Sequence, residues 1–333
     1  MTKTNQQKVK DFLINNGVII VMFILVIYTG FTSDNFFTKN NFMNILMNMS
    51  SRLVIALGIA GCVITAGCDL SAGRMIGFGA CISGMLLQRM DYSGKFFPDM
   101  QPLNVFVVAL IAMLVCAAFG TVTGFFIAYL NVPPFIATLA MMEIVYGIGL
   151  IVTNATPLGG YVEQYTNVSN GKFLGINYLI WIAIIVAAIT WFIFNMTRHG
   201  KYMYAIGGNP QAAEVAGVPV KATLILIYMK AAAMYGLAGF MLGAKAGGAS
   251  VQTGYGYEME AIAACTIGGV SVTGGRGKVS SAIIGVAVFE LLKVALQYLG
   301  MNANAQYIAI GVVIFIAISL DIRKYIADRK SVV

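Results

Sequence analysis

The chain has 333 residues, 59% hydrophobic and only 10% charged, and its mean hydropathy is +0.82. Soluble domains carry about 25% charged residues, so the composition excludes a soluble enzyme or binding module and puts the chain in a membrane. The net charge of +8 comes from short basic clusters between apolar runs, with neither the continuous basic face nor the interleaved aromatics of a nucleic-acid binder, and it reads as membrane orientation.

A spanning helix needs about 20 mostly apolar residues. About ten segments are candidates, in chain order Val18 to Phe31, Leu53 to Ala66, Ile76 to Leu87, Leu103 to Tyr129, Phe135 to Val152, Tyr178 to Phe194, Thr223 to Ala244, Met259 to Val270, Ser281 to Leu299 and Gln306 to Leu320. The first follows Lys3, Lys8 and Lys10 as a secretory signal would. It exits into Thr32-Ser33-Asp34-Asn35 with no small-x-small cleavage site, so it counts as a span. The second, third and eighth are short, which predicts helices that extend into their polar flanks or are broken. Gly73/Gly77, Gly120/Gly124 and Gly239/Gly243/Gly247 have the spacing of close helix crossings. The cysteines Cys62, Cys68, Cys81, Cys116 and Cys265 are dispersed, without metal or redox spacing, and read as small core residues.

Cytoplasmic connections carry the excess of Lys and Arg. With the N-terminus inside, the inner connections include Asp69 to Arg74, Asn131 to Pro134, Thr197 to Lys221, Arg276 with Lys278, and a tail with Arg323, Lys324, Arg329 and Lys330. The outer ones, Asn154 to Gly175 and Gly247 to Glu260, are poor in basic residues, so both termini are expected in the cytoplasm. Ten spans divide into five and five, and an odd number per half is the arrangement of an inverted repeat. The Gly-rich, polar break Ala66 to Arg74 then corresponds to the break Gly247 to Glu260.

In the connection Thr197 to Lys221, Asn209 is a good helix N-cap, Pro210 suits the first helical position and Gly217 supplies a left-handed stop. Pro210 to Ala216 is therefore expected to form a short capped helix. Two turns are marginal alone in water, so this helix is expected to lean on something.

No energy source is visible. Gly274-Gly275-Arg276-Gly277-Lys278-Val279 lacks the leading Gly of a phosphate loop and has Val279 where a Ser or Thr binds magnesium. His199 is the only histidine, a poor basis for a triad or multi-His metal site, and reads as an interfacial polar residue. The ionisable residues inside spans are Glu143, Lys230, and the pair Glu290 and Lys293, which sit three apart and are expected to neutralise each other. Lys230 is near enough to the inner end to snorkel. An ion-coupled secondary sugar transporter accounts for the spans and Gly breaks but leaves the capped helix without a role. A membrane enzyme would need a nucleophile-base pair or metal cluster that the sequence does not offer.

Asn35-Phe36-Phe37-Thr38, Asp69-Leu70-Ser71-Ala72-Gly73, Pro134-Phe135-Ile136-Ala137-Thr138-Leu139, Ala205-Ile206-Gly207-Gly208-Asn209-Pro210, Gly256-Tyr257-Glu258-Met259-Glu260-Ala261 and Gly268-Gly269-Val270-Ser271 occur in an order and spacing that resemble, nearly end to end, the permease subunit of bacterial ABC importers for ribose, galactose, xylose and related sugars. The galactose/methyl-galactoside branch is the most similar, through Asp69 to Arg74, Leu86-Leu87-Gln88, Met90-Asp91 and Phe97-Pro98-Asp99-Met100. The resemblance implies an all-α polytopic permease of the type II ABC importer class, forming one transmembrane domain over 1–333, with a cytoplasmic N-terminus 1–17, inner loop 197–221 and tail 321–333, in the bacterial inner membrane. It implies a second copy of the chain, a periplasmic sugar-binding protein and a cytoplasmic subunit that binds ATP and Mg, with no catalysis or cofactor on this chain. Gly207, Gly208, Asn209, Pro210, Ala212, Ala213, Glu214, Ala216 and Gly217 match the family's ATPase-coupling loop, with Ala212, Ala213 and Ala216 as its docking face.

The expected sugar path uses Asp69 and Ser71 at the first break and Tyr255, Tyr257, Glu258 and Glu260 at the second, since a neutral sugar needs hydrogen-bonding groups and aromatic faces. Asp69 reads equally as a helix cap closing the break, and Glu258 and Glu260 read equally as docking groups for the binding protein.

Overall fold

The computed structural model of the chain describes Ile20 and residues 22–330. The expected N-terminal segment 1–17 and the opening of the first span lie outside the described residues. The helices are α1 (Met22–Thr32), α2 (Lys39–Ile64), α3 (Ala72–Leu86), α4 (Val105–Tyr129), α5 (Pro134–Thr153), α6 (Glu163–Asn170), α7 (Tyr178–Met196), α8 (Arg198–Gly208), α9 (Pro210–Val215), α10 (Val220–Ala246), α11 (Tyr257–Gly268), α12 (Val279–Tyr298) and α13 (Ala303–Lys330). Each expected apolar segment coincides with one of them. By length and composition α2, α4, α5, α7, α10 and α12 can each cross a membrane, whereas α1, α3 and Asn304–Ile316 within α13 are shorter apolar stretches. The chain is an all-α polytopic membrane protein.

Several boundaries differ from those expected. α2 begins fourteen residues before Leu53, because Asn, Ser and Arg alternate with Met and Leu there and hide the helix from a search for apolar runs. Thr38 caps it by accepting from the Asn41 amide at 3.3 Å, and Ser50 returns its hydroxyl to Leu46 O at 2.7 Å, so the polar residues are satisfied within the helix. α13 runs on past Leu320, so the expected tail is helical as far as Lys330. α6 and α8 add helix to connections read as loops. One small exception to the all-α reading is a hairpin of β1 (Lys172–Phe173) and β2 (Ile176–Asn177). Leu174 and Gly175 turn it with φ of 53° and 79°, the double left-handed geometry that fits a two-residue hairpin.

The core forms around α10, which packs against α4, α3 and α2. A Cβ on Gly239 would lie 2.2 Å from Ile76 O of α3, and one on Gly120 of α4 would lie 2.4 Å from Tyr228 O of α10, so these crossings tolerate no side chain. Gly73 and Gly77 face the second break rather than another helix, and Gly247 caps α10 with φ 66°. α2 is 78% buried across its apolar window while α4, α5 and α7 are 22 to 28% buried, so the last three form the outer wall. α3 lies on α10 and, in turn, α11 lies on α2.

The connections gather into two groups. At one end Gly275 N donates to Ile64 O at 2.8 Å, Tyr204 donates to Gly277 O at 2.8 Å, and Thr138 Oγ1 reaches Cys68 O at 3.5 Å. These contacts unite the exit of α2, the start of α5, α8 and the 271–278 loop. At the other end Leu158 bridges to Ala249 and Gln88 to Tyr161, uniting segments 87–103, 154–177 and 247–250. The partition follows the one read from the basic residues, with one correction: Arg74 lies within α3 and reaches the second break instead of lining an inner connection.

Candidate substrate path and coupling surface

α2 ends at Ile64, and the chain crosses to α3 through Asp69, whose Oδ1 accepts from Ser71 N at 3.0 Å and Ser71 Oγ at 2.5 Å. Both residues are fully buried. The carboxylate thus closes the turn that launches α3. Behind it the hydroxyls of Tyr228 and Tyr235 on α10 are buried, that of Tyr228 without a hydrogen-bond partner among the described residues.

The second break brings the chain out of α10 at Gly247 and into α11 at Tyr257. It lies against α3: a Cβ on Gly73 would meet Glu258 Oε2 at 2.1 Å, and one on Gly77 would meet Val251 O at 2.7 Å. Glycine at these two positions is what allows the breaks to touch. Glu258 is buried, and among the described residues its Oε2 has no hydrogen-bond partner. Beside it the Arg74 guanidinium lies 3.9 Å from the ring centroid of Tyr146 on α5 and 4.5 Å from that of Tyr255. Arg74 Nη1 donates to Gln252 Oε1 at 2.8 Å, and Gln252 Nε2 donates to the Tyr146 hydroxyl at 3.1 Å.

A third cluster crosses the helix layer. Arg52 Nη1 is 2.6 Å from Glu260 Oε2, Arg52 Nε is 3.1 Å from Glu290 Oε2, and Lys293 Nζ is 2.7 Å from Glu260 Oε1. Lys245 donates to Asn48 Oδ1 close by. Glu290 and Lys293 were expected to neutralise each other. Instead each takes a partner from another helix, because three-residue spacing places both on one face that looks toward Arg52 and Glu260. Arg52 also lies 4.9 Å from the ring centroid of Tyr257, and both line a small cleft.

In the 197–221 connection Asn209 Oδ1 accepts from Ala212 N at 2.9 Å, Pro210 opens α9, and Gly217 follows it with φ 81°. Ala213 is corrected as a docking residue: it is 5% exposed and turned into its own chain, where its carbonyl accepts from Val218 N. Gln211, Ala212, Glu214, Val215 and Ala216 face outward, Val215 at 91% exposure. Gly207 is buried where a Cβ would lie 1.8 Å from Ile64 O, so α8 rests directly on the end of α2, whereas Gly208 has open space around it. On α8, burial and the nearby Lys230 ammonium push His199 down to about 4. His199 and Lys230 both border a small cleft between α2, α7, α8 and α10.

The profile of the family described as "Branched-chain amino acid transport system / permease component" matches residues 41–318. The galactose/methyl galactoside import permease protein MglC of Escherichia coli (strain K12) is 39% identical over 98% of this chain and 99% of that protein. The protein of the same name from Haemophilus influenzae is 40% identical over 99% of this chain and 100% of that protein. This chain belongs to the bacterial ABC-type sugar (galactose/ribose) import permeases. The ribose import permease protein RbsC of Escherichia coli (strain K12) is 32% identical over 95% of this chain and 96% of that protein. No solved structure matches.

The permease is a transport subunit of the bacterial inner membrane, and ATP hydrolysis is expected on a separate subunit. That membership sets aside the ion-coupled alternative. The expected residues at both breaks are present at the site, whereas Arg52, Tyr146 and Gln252 had no role expected of them, and Arg74 was expected as an orientation charge and as part of the break motif. Arg52 stands one residue before the segment read as a span, and Tyr146 and Gln252 have no local pattern. Their proximity arises only where α3, α5 and the second break meet.

Proposed function

We propose that the permease carries galactose or a methyl galactoside, delivered by a periplasmic sugar-binding protein, and that it works beside a second copy of itself. The carrying observation is full-length identity of 39 to 40% to the galactose/methyl galactoside permeases, against 32% to the ribose permease. In this reading the chain crosses the membrane about ten times, as one domain with both termini in the cytoplasm. The end bearing Arg198, Lys201, Lys221, Arg276 and Lys278 against the acids Asp69 and Glu214 supports that orientation. The other end mixes Arg89, Lys95 and Lys172 with Asp91, Asp99 and Glu163. The reciprocal packing of the short helices α3 and α11 on the long helices α10 and α2 supports an inverted five-plus-five repeat.

The coupling loop Gly207 to Gly217 docks through the outward face of α9 on a cytoplasmic subunit that binds ATP and Mg. Gly207 against Ile64, and Gly275 N on Ile64 O, pass movement of α9 to the exit of α2 and so to the break at Asp69 and Ser71. The sugar crosses where that break meets Tyr255, Tyr257 and Glu258. Asp69 and Ser71 become available only when the closed turn opens, and Glu260 acts through its pairs with Arg52 and Lys293.

Reconstituting the permease with its ATPase and binding protein in proteoliposomes tests this. ATP-dependent uptake of galactose above ribose is expected. Uptake driven by an ion gradient without ATP, or selective uptake of ribose, would refute it.

A further inference from the structure

Glu143 stands at the middle of the 20-residue α5, whose mean hydropathy is 2.1 across its apolar window, and its side chain is exposed with no ion pair among the described residues. A carboxylate near the bilayer midplane costs about 2.5 to 3.5 kcal/mol or more if it faces lipid, and such residues normally face a water-filled cavity or a protein partner. Tyr146, three residues on, shares the Glu143 side of α5 and carries the Arg74–Gln252–Tyr255 assembly. Tyr255 is 62% exposed and Gln252 is exposed, so the assembly also opens outward from the fold. Arg74, Gln252 and Tyr255 lie where two helices are interrupted, and Tyr146 of the continuous α5 reaches them there; membrane transporters build substrate sites near the midplane from discontinuous helices.

The chemistry is that of a sugar contact. Two tyrosine faces hold the Arg74 guanidinium, and the Gln252 amide fixes its plane. Among the described residues Nη2 makes no hydrogen bond, and a planar guanidinium offers paired donors to adjacent ring hydroxyls. The open Tyr255 ring offers an apolar surface to the C–H face of a pyranose, and Glu143 offers an acceptor. Glu258 lies buried beside Arg74, and among the described residues its Oε2 has no hydrogen-bond partner.

We propose that Arg74, clamped by Tyr146, Tyr255 and Gln252, reads the hydroxyls of a neutral monosaccharide in the translocation path, with Glu143 completing the wall as acceptor. This rests on the sugar-path reading above. Neither Glu143 nor Tyr146 belongs to either break, and Arg74 gains the role of a ligand group.

The test uses the complete transporter in proteoliposomes, with each variant assayed on the sugar that the wild type carries best. If that sugar is not galactose, the cargo assignment fails while the wall remains under test. Arg74→Lys keeps the charge but loses the planar fork and is expected to lower uptake about tenfold or more, as for loss of a hydrogen bond to a charged group. Its thermal stability is expected to match the wild type, so that the loss reads sugar passage and not folding. Glu143→Leu is expected to lower uptake similarly with thermal stability retained. Wild-type uptake by Glu143→Leu would overturn the proposal, since a lipid-facing carboxylate is dispensable for transport. A further readout needs no transport: Glu143→Cys should react with a membrane-impermeant maleimide several-fold faster than the wild type, whose own cysteines are buried or half-buried. Labelling no faster than the wild type would place Glu143 outside the aqueous path and overturn the proposal.

Discussion

Arg52 Nη1 of α2 lies 2.6 Å from Glu260 Oε2 of α11, and this contact ties the short helix to the long one on which it lies. Around it stand three cations, Arg52, Lys245 and Lys293, with two carboxylates, Glu260 and Glu290. Removing one partner of a buried pair typically costs 3 to 5 kcal/mol, because the other charge remains desolvated. The count of charges decides which removal is worse. Glu260→Gln leaves three cations to one carboxylate, whereas Arg52→Met leaves two to two. Thermal unfolding in detergent is expected to show Glu260→Gln as the more damaging of the two, with Arg52→Met partly rescuing it in the double variant. Equal, independent losses would mean that the cluster is not energetically coupled.

Gly207→Ala is expected to destabilise the permease by about 1 to 3 kcal/mol through overpacking, because backbone atoms of Ile64 and Gly275 occupy the space a Cβ needs. Gly208→Ala meets nothing within 4 Å and is expected to leave stability unchanged. Unfolding curves and ATP-driven uptake measured on both variants check the contrast.

Val215 is 91% exposed at the tip of α9, so Val215→Asp is expected to change the stability of the isolated permease by less than about 0.5 kcal/mol. Co-purification with the ATPase subunit, and ATP-driven uptake with it, is expected to fall sharply. Retention of both would move the docking surface elsewhere. Ala213→Asp is a poor probe, since its side chain is buried in its own chain.

His199 is held neutral in the fold by burial and by Lys230, with Arg198 and Lys201 on its own helix adding positive charge nearby. Its value near 4 lies below the ordinary 6.5, so between those limits the unfolded chain binds the additional proton. Its contribution to stability is fully present above pH 6.5 and declines as the pH falls toward 4. Melting temperatures across that window are expected to fall more steeply for the wild type than for His199→Gln. Parallel slopes would show that His199 is not the titrating group.

The membrane class, the apolar segments and the capping of α9 were legible in the sequence because each depends on composition or on neighbours a few residues apart. Asn209, Pro210 and Gly217 specify their helix within nine residues, because an N-cap, a first-turn proline and a left-handed stop each act locally. Local signals also put glycines at the helix crossings, since a backbone approach requires them wherever the partner lies. Three-dimensional packing decided the rest. Only packing turned Ala213 inward and Val215 outward, paired Glu260 and Glu290 with Arg52 across 208 and 238 positions of chain, and brought Arg74 to Tyr146 and Tyr255. A charge or aromatic ring has no periodicity that names its partner, and in a low-dielectric interior its energy depends on distance through space, which the order of residues along the chain does not determine.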